Sequence, residues 1–396
     1  MEKPRTVMIV AGEASGDLHG ANLVREMKAI DPSLAFCGVG GQRLEAEGVR
    51  LVARSSEMGV VGFTEVFSKL RLIVGVFFRL RRMLRAEKPD LLILIDYPDF
   101  NLPLASAARR AGVRVFYYIS PQVWAWRKNR IEHIRRVVDR MAVILPFEAD
   151  IYAEKGVDVE FVGHPLLDTV KRTYSRKEAL EAFGLREAWP IVALLPGSRE
   201  KEVMSLLDEM LGAAEILARD FAEAQFVLPL AETVDPGLVQ GILGQHAVPV
   251  SVLPGQMADA VGISDVAIVA SGTATLETAL LQTPMVITYK ISPLTAAVGK
   301  RLVRVRHIGL VNIIAGKTVV PELVQDDATA EKLAAEVRAI LSDRQRSDAI
   351  RGELAGIRQK LGEPGASLRA AKLALGLMAA GVRDPGSGPK VEGEKT

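Results

Sequence analysis

The chain has 396 residues, 49% of them hydrophobic and 25% charged, with 50 lysines and arginines against 48 acidic residues. This is a globular composition whose length points to two domains, because single cores stop growing near about 250–300 residues, and the near-neutral balance gives no reason to expect a nucleic-acid partner. A single cysteine, Cys37, rules out an internal disulfide and a thiolate cluster, and the five histidines show no paired ligand spacing, so no metal site is expected.

Thr6 to Ala11 follows the N-terminus with no basic leader and apolar stretch between, so no secretion signal is expected. No apolar run reaches the roughly 18–20 residues that a membrane-spanning helix needs. Thr6–Ala11 reads as a buried parallel strand, and Gly12-Glu13-Ala14-Ser15-Gly16-Asp17-Leu18-His19 leads into a helix. The loop matches neither the dinucleotide fingerprint nor the P-loop. Glu13 and Asp17 would repel a phosphate, so the loop suits hydroxyls better.

Leu34 to Gly38 is a second strand. From Val66 to Lys88 apolar residues recur at helical spacing, but the apolar surface spreads too far round and seven lysines and arginines punctuate it. Such a basic, apolar helix suits an anionic bilayer, with Leu70, Ile73, Val74, Phe77 and Phe78 as the contacting side chains. The alternative is a helix covering a sheet with its arginines solvated.

Asp90 to Asp96 is a strand that delivers Asp96 to its carboxyl end, where open α/β sheets bind ligands. Tyr97 to Asn101 reads as a loop stiffened by Pro98, and Asp99 either faces the ligand or caps the next helix. After a strand over 114–119, Gln122, Trp124, Trp126 and Arg127 place indoles beside a basic cluster, suited to a sugar phosphate or to domain packing. Further strands over 137–145 and 159–162 complete the first half.

The pattern restarts at Ile191 to Leu195, a strand followed by Pro196-Gly197-Ser198-Arg199, where a guanidinium could clamp a diphosphate. Val266 to Ala270 is a strand leading through Ser271, Gly272, Thr273, Ala274 and Thr275 into a helix. Small residues at a helix N-terminus leave backbone N–H groups open to an anion. Glu277 carries the wrong charge for that anion and suits sugar hydroxyls, or is merely a favourable N-terminal charge. Two successive parallel-sheet domains of this kind commonly bind a nucleotide-linked substrate in one and an acceptor in the other.

The segments AGEASGDLHGA (11–21), GVGG (38–41), YPDFN (97–101), SPQVWAWR (120–127), PFE (146–148), VGHPL (162–166), LLPGSR (194–199), ASGTATLE (270–277), PMV (284–286) and PELVQ (321–325) carry a resemblance. In this order they resemble the lipid-A-disaccharide synthase family, glycosyltransferase family 19, whose members are inverting enzymes of GT-B architecture. The resemblance implies an α/β fold of two Rossmann-like domains. An acceptor-side domain is expected over 1–167, with a membrane-contacting segment at 62–88. A linker is expected over 168–190, a UDP-sugar domain over 191–340, helices over 341–383 and a disordered tail over 384–396.

The same resemblance implies transfer of 2,3-diacylglucosamine from UDP-2,3-diacylglucosamine to 2,3-diacylglucosamine 1-phosphate, with no metal or other cofactor. It implies work at the cytoplasmic face of the inner membrane of a Gram-negative bacterium, on an anionic surface, and a homodimer through C-terminal segments. Residue by residue, it puts the essential aspartate on Asp96, the diphosphate-contacting arginine on Arg199 and the ribose-contacting glutamate on Glu277. Ser15, Asp17, Gln122, Trp124 and Arg127 line the acceptor side, and Asn312 joins the donor site although Val311 stands where the family has proline. Asp96 ranks first as general base, His19 second and Asp99 third. A UDP-sugar epimerase of the same architecture and a non-catalytic UDP-sugar-binding protein are the competing readings.

Overall fold

The computed structural model describes residues 5–58, 63–121, 129–290 and 307–379. The chain divides into two compact units, residues 1–165 with 363–396 and residues 166–362. Gln122, Trp124 and Arg127 and the 384–396 tail lie outside the described residues.

The first unit holds a seven-stranded parallel sheet in the order β3-β2-β1-β4-β5-β6-β7. Its strands are β1 (Thr6–Ala11), β2 (Ala35–Gly40), β3 (Arg50–Arg54), β4 (Leu91–Ile95), β5 (Arg114–Tyr118), β6 (Arg140–Val143) and β7 (Val159–Phe161). Helices covering both faces explain why the central strands are unbroken apolar runs: every residue of Leu91-Leu92-Ile93-Leu94-Ile95 is buried. β3, with an arginine at each end, lacks this signature and was not anticipated. Its partly exposed residues fit an edge strand.

The second unit repeats the pattern in six parallel strands, ordered β10-β9-β8-β11-β12-β13. These are β8 (Ile191–Leu195), β9 (Gln225–Leu230), β10 (Val250–Pro254), β11 (Val266–Ala270), β12 (Met285–Tyr289) and β13 (Glu322–Val324). In both sheets the chain first winds one way and then crosses back, so each has a point where the strand order reverses: β1 beside β4, and β8 beside β11. Ligands of open α/β sheets bind outside the strand ends at such points.

Residues 168–190, expected as a linker, are built into the second unit. The buried Asp259 carboxylate accepts from the N–H groups of Thr173 and Tyr174 at 2.7 and 2.9 Å, and Arg176 donates to the Ile263 carbonyl. Ser175 caps the helix Arg176–Phe183, with Glu178 bonding back to the Ser175 N–H. The C-terminal helices part company. Ala330–Ser342 and Arg344–Lys360 belong to the second unit, whereas Ala366–Ala379 returns to the first and packs against helix Ala14–Ile30. Its buried face is small, Ala366, Ala370, Ala371 and Ala374, which permits close approach, and the Arg369 guanidinium ties it to the Val162 carbonyl.

The basic segment forms one helix, Phe63–Ala86, and no described helix is long and apolar enough to cross a membrane. The five side chains expected on its lipid-facing surface separate. Leu70, Val74 and Phe78 are exposed, with Phe78 at 57%, but Ile73 and Phe77 pack against the core of the unit. Phe77 meets Phe100 edge-on at 5.8 Å. Residues 73, 77, 80 and 84 share the inward stripe, so helical geometry alone excludes Phe77 from the same face as Phe78.

Candidate active site

In the first unit the loops after β1 and β4 stand side by side, since Ala11 pairs with Ile95 at the strand ends. The peptide after β1 turns at Gly12, where an added Cβ would lie 2.5 Å from the Tyr97 ring, so glycine is required for the aromatic to close over the loop. Ser15 is exposed at the start of the following helix.

Asp17 is not free to line a ligand site. Its carboxylate accepts from the N–H groups of Gly41 at 2.6 Å, Arg43 at 3.0 Å and Leu44 at 3.2 Å, capping helix Gln42–Ala46. This explains the paired glycines at 40 and 41: a Cβ at Gly41 would meet Asp17 Oδ2 at 2.6 Å. The sequence places a carboxylate in the loop, but only the fold shows the backbone donors that occupy it.

His19 is 5% exposed and burial lowers its pKa to about 4. His164, after β7, is lowered to about 3 by burial and by the neighbouring His19. Both imidazoles are neutral at pH 7. His19 Nδ1 has no hydrogen-bond partner among the described residues. A buried imidazole this weakly basic offers no advantage over a carboxylate as proton acceptor.

Asp96 occupies the end of β4, half-buried, with a left-handed backbone at φ +46°. Pro98 is the first residue of helix Pro98–Arg110 rather than part of a loop, a position where its missing N–H has no cost. Asp99 therefore sits in the first helical turn, largely exposed, and forms an ion pair with Arg130. That pair serves the helix end and occupies the Arg130 guanidinium.

The second unit arms its reversal point differently. After β8 the chain turns at Gly197 (φ +122°), where any side chain would collide with Glu202. Glu202 accepts from the Ser198 N–H at 3.2 Å and from the Arg199 guanidinium at 3.1 Å, holding a half-exposed Arg199 at the N-cap of helix Glu200–Asp220. Tyr289, at the end of β12, feels both charges. Its pKa is raised mainly by burial and then by Glu202, and is lowered by Arg199. Glu202 went unrecognised in the sequence, although a glutamate three residues after an N-cap is a legible signal.

After β11, Gly272 adopts φ +156° and helix Thr273–Leu280 begins. The run of open donors is shorter than expected. The Ser271 N–H goes to the Thr288 carbonyl at 2.9 Å, and the Thr275 N–H and hydroxyl go to the Gly272 carbonyl at 3.2 and 2.7 Å. The N–H groups of Gly272, Thr273 and Ala274 have no acceptor among the described residues. Three adjacent donors at a helix N-terminus form an anion-binding surface. Glu277 is half-buried, its carboxylate has no hydrogen-bond partner among the described residues, and burial raises its pKa. A desolvated, unpartnered carboxylate is poised to accept from hydroxyls.

Asn312 offers nothing to a ligand. It is fully buried, its amide donates to the Val320 carbonyl and to Glu322, and its oxygen accepts from the N–H groups of Val319 and Val320. Glu322 in turn accepts from the N–H groups of Ile308 and Gly309, and the Ile308 carbonyl receives the Ser271 hydroxyl at 3.1 Å. Asn312 thus acts on the Ser271 turn through the frame it shares with Glu322. Among the described residues no group of three or more His, Cys, Asp or Glu side chains could hold a metal ion.

Two solved structures share this fold. A glycotransferase of kitacinnamycin superposes with a TM-score of 0.64 at 18% identity, covering 95% of this chain and 100% of the other. A UDP-GlcNAc 2-epimerase from Neisseria meningitidis, solved with UDP-GlcNAc, gives 0.60 at 12% identity, over 95% and 100%. At these identities they establish the architecture alone, that of the GT-B enzymes. Sequence relatives are far nearer. The lipid-A-disaccharide synthase of Syntrophus aciditrophicus is 56% identical, covering 94% of this chain and 98% of its own length. That of Geobacter sulfurreducens is 50% identical over 94% and 97%. The family model for lipid-A-disaccharide synthetase matches residues 7–375, nearly the whole described chain. The chain belongs to the lipid-A-disaccharide synthase family of glycosyltransferases.

Proposed function

We propose that the chain transfers 2,3-diacylglucosamine from UDP-2,3-diacylglucosamine to the 6-hydroxyl of 2,3-diacylglucosamine 1-phosphate, releasing UDP and a β-1,6-linked disaccharide 1-phosphate with inversion. The observation that carries this reading is family membership along nearly the whole chain, with Asp96 directly after β4, Arg199 in the turn after β8 and Glu277 in the helix after β11, all strands that meet at the reversal points.

In the second unit, Arg199 and the N–H groups of Gly272, Thr273 and Ala274 meet the charge that develops on the diphosphate as its bond to C1 breaks. One preorganised donor of this kind is worth about 10²–10³ in rate. Glu277 accepts from the ribose hydroxyls. In the first unit, Asp96 takes the acceptor's proton as its oxygen attacks C1 from the face opposite UDP. A carboxylate is a weak base, yet the hydroxyl becomes acidic as bonding to C1 develops. Ser15 is left to contact the acceptor, and Gln122, Trp124 and Arg127 are assigned to it on sequence grounds. Because cationic and N–H groups neutralise the diphosphate, the reaction needs no metal.

Both substrates carry acyl chains, and the exposed Leu70, Val74 and Phe78 stand among the exposed Arg71, Arg79, Arg82 and Arg85. We assign this surface to peripheral contact with an anionic inner-membrane face. Exchange of the Ala366–Ala379 helix between copies would preserve its buried contacts and yield the expected homodimer.

The test is product formation from the two acylated substrates in detergent with a metal chelator, wild type beside Asp96→Asn. UDP and disaccharide from the wild type alone support the reading. A folded, UDP-binding wild type that makes no disaccharide rejects it.

A further inference from the structure

The backbone beneath Asp96 is held in an unusual way. Asp96 and Tyr97 are consecutive left-handed residues, at φ +46° and +47°, and neither is glycine. Ile119, at the end of the neighbouring β5, is left-handed too, at φ +63°. Of six such non-glycine residues among those described, three meet here. For a β-branched isoleucine the conformation is a genuine outlier, and each such residue costs on the order of 1–3 kcal/mol. The strained peptides are joined: the Asp96 N–H donates to the Ile119 carbonyl at 3.2 Å, and the Ile119 N–H donates to the Ala142 carbonyl at 3.0 Å.

Two buried side chains hold this arrangement. The Asp96 carbonyl accepts from the Tyr117 hydroxyl at 2.5 Å and from the Asn101 amide at 2.7 Å, and the same amide donates to the Ile95 carbonyl at 3.2 Å. Asn101 and Tyr117 are both fully buried. The Asn101 Oδ1 atom is buried with no partner among the described residues, a penalty of about 1–3 kcal/mol that an apolar side chain of similar volume would avoid. Asparagine is kept at that cost because its N–H₂ group reaches two carbonyls at once.

With both lone-pair directions of its carbonyl filled, the peptide plane after Asp96 cannot rotate. The direction of the Asp96 Cα–Cβ bond is thereby set by the main chain. We propose that Asn101 and Tyr117 are positioning residues of the transfer, clamping the left-handed Asp96–Tyr97 backbone so that the Asp96 carboxylate points in one direction. Neither touches a substrate; both act through the Asp96 main chain. The inference rests on the reading of Asp96 as the acceptor of the substrate's proton.

The test uses the full-length enzyme with both acylated substrates, assayed well below each variant's melting temperature. Tyr117→Phe removes one hydroxyl and Asn101→Leu removes the amide, each alone and each combined with Asp96→Asn. Misplacing a reacting group by about 1 Å costs as much as 10²-fold, so each single variant should lose about ten- to a hundredfold in kcat. The KM for UDP-sugar and the affinity for UDP should stay within about twofold, since those contacts belong to the other unit. In the Asp96→Asn background the same substitutions should change the residual rate by less than about twofold, because the side chain they aim is gone.

A folded Tyr117→Phe and Asn101→Leu with wild-type kcat would overturn the clamp while leaving Asp96 in its role. So would an equal loss in the Asp96→Asn background, the mark of a merely structural effect. An Asp96→Asn enzyme as fast as wild type would overturn the reading of Asp96 itself, and the clamp with it. If Asn101→Leu does not fold, Tyr117→Phe still decides.

Discussion

The loops after β1 and β4 in the first unit and those after β8 and β11 in the second occupy equivalent places in two sheets whose strand orders match but for one extra edge strand, β7, in the first. The first pair offers a half-buried carboxylate, Asp96, on a left-handed backbone fastened by buried donors. The second offers a half-exposed guanidinium and three N–H groups without acceptors among the described residues, at turns whose glycines tolerate positive φ. Where the required group is a side chain that must point one way, strain is retained and held. Where the required group is the backbone itself, glycine relieves the strain and leaves donors open. On the proposed reading, one topology serves proton acceptance in one copy and anion binding in the other, because function sits in the loops and not in the sheet.

The comparison breaks most readily at its charged ends. Asp96→Asn should lower kcat by about 10²–10⁴, the usual range for a general base, with UDP affinity unchanged by calorimetry. Arg199→Ala should lower kcat by about 10²–10³ and also weaken UDP. If Asp96→Asn weakened UDP binding as much as Arg199→Ala does, the division of labour between the units would fail.

Glu277→Gln sharpens the donor side, with an expected loss of about tenfold in UDP affinity, or about 1.4 kcal/mol. Because burial raises the Glu277 pKa, its ionised form is disfavoured in the fold. The wild type should match Glu277→Gln in stability at low pH and fall below it as pH rises past the ordinary glutamate value and through the raised one. Urea melts of both proteins across that range would read the difference. A constant gap would mean that the carboxylate does not titrate as burial dictates.

On the first unit, the two buried histidines give the opposite sign. Their pKa values fall from 6.5 to about 4 and about 3, so stability is complete above about 6.5 and declines as pH falls toward the folded values. Each contributes a loss of up to about 1.4 kcal/mol per pH unit. Replacing His164 by glutamine should flatten the wild-type decline between pH 6.5 and 5, measured by denaturant midpoint. The smallest effects divide Phe77 from Phe78. Phe77→Ser should cost about 2 kcal/mol of stability through lost packing. Phe78→Ser should leave the melting temperature alone and reduce partition onto anionic vesicles several-fold.

Much of the architecture was legible in the sequence. Short apolar runs such as Leu91–Ile95, Ile191–Leu195 and Val266–Ala270, bounded by turn residues, read as strands buried on both faces, and the residue types that follow them marked Asp96, Arg199 and Ser271 to Glu277 as candidates. Short polar elements were not legible: β3 is an arginine-flanked edge strand, and helix Leu310–Ala315 is too brief for a periodic signal. The candidate site was legible as residue types but not as availability. Asp17 and Asn312 have the right chemistry, yet their hydrogen-bonding capacity is taken by backbone groups 24 to 27 and 7 to 8 residues away, and by Glu322.

The sequence by itself determined the two parallel sheets, the family and the strand ends where the candidate groups stand, because burial on both faces and small-residue turns are local patterns. Tertiary structure decided which of the candidate groups are taken up by backbone partners and how the backbone beneath the others is held. The left-handed Asp96, the donors on its carbonyl and the inward turn of Phe77 each depend on partners from another strand or helix, and no local pattern encodes a partner.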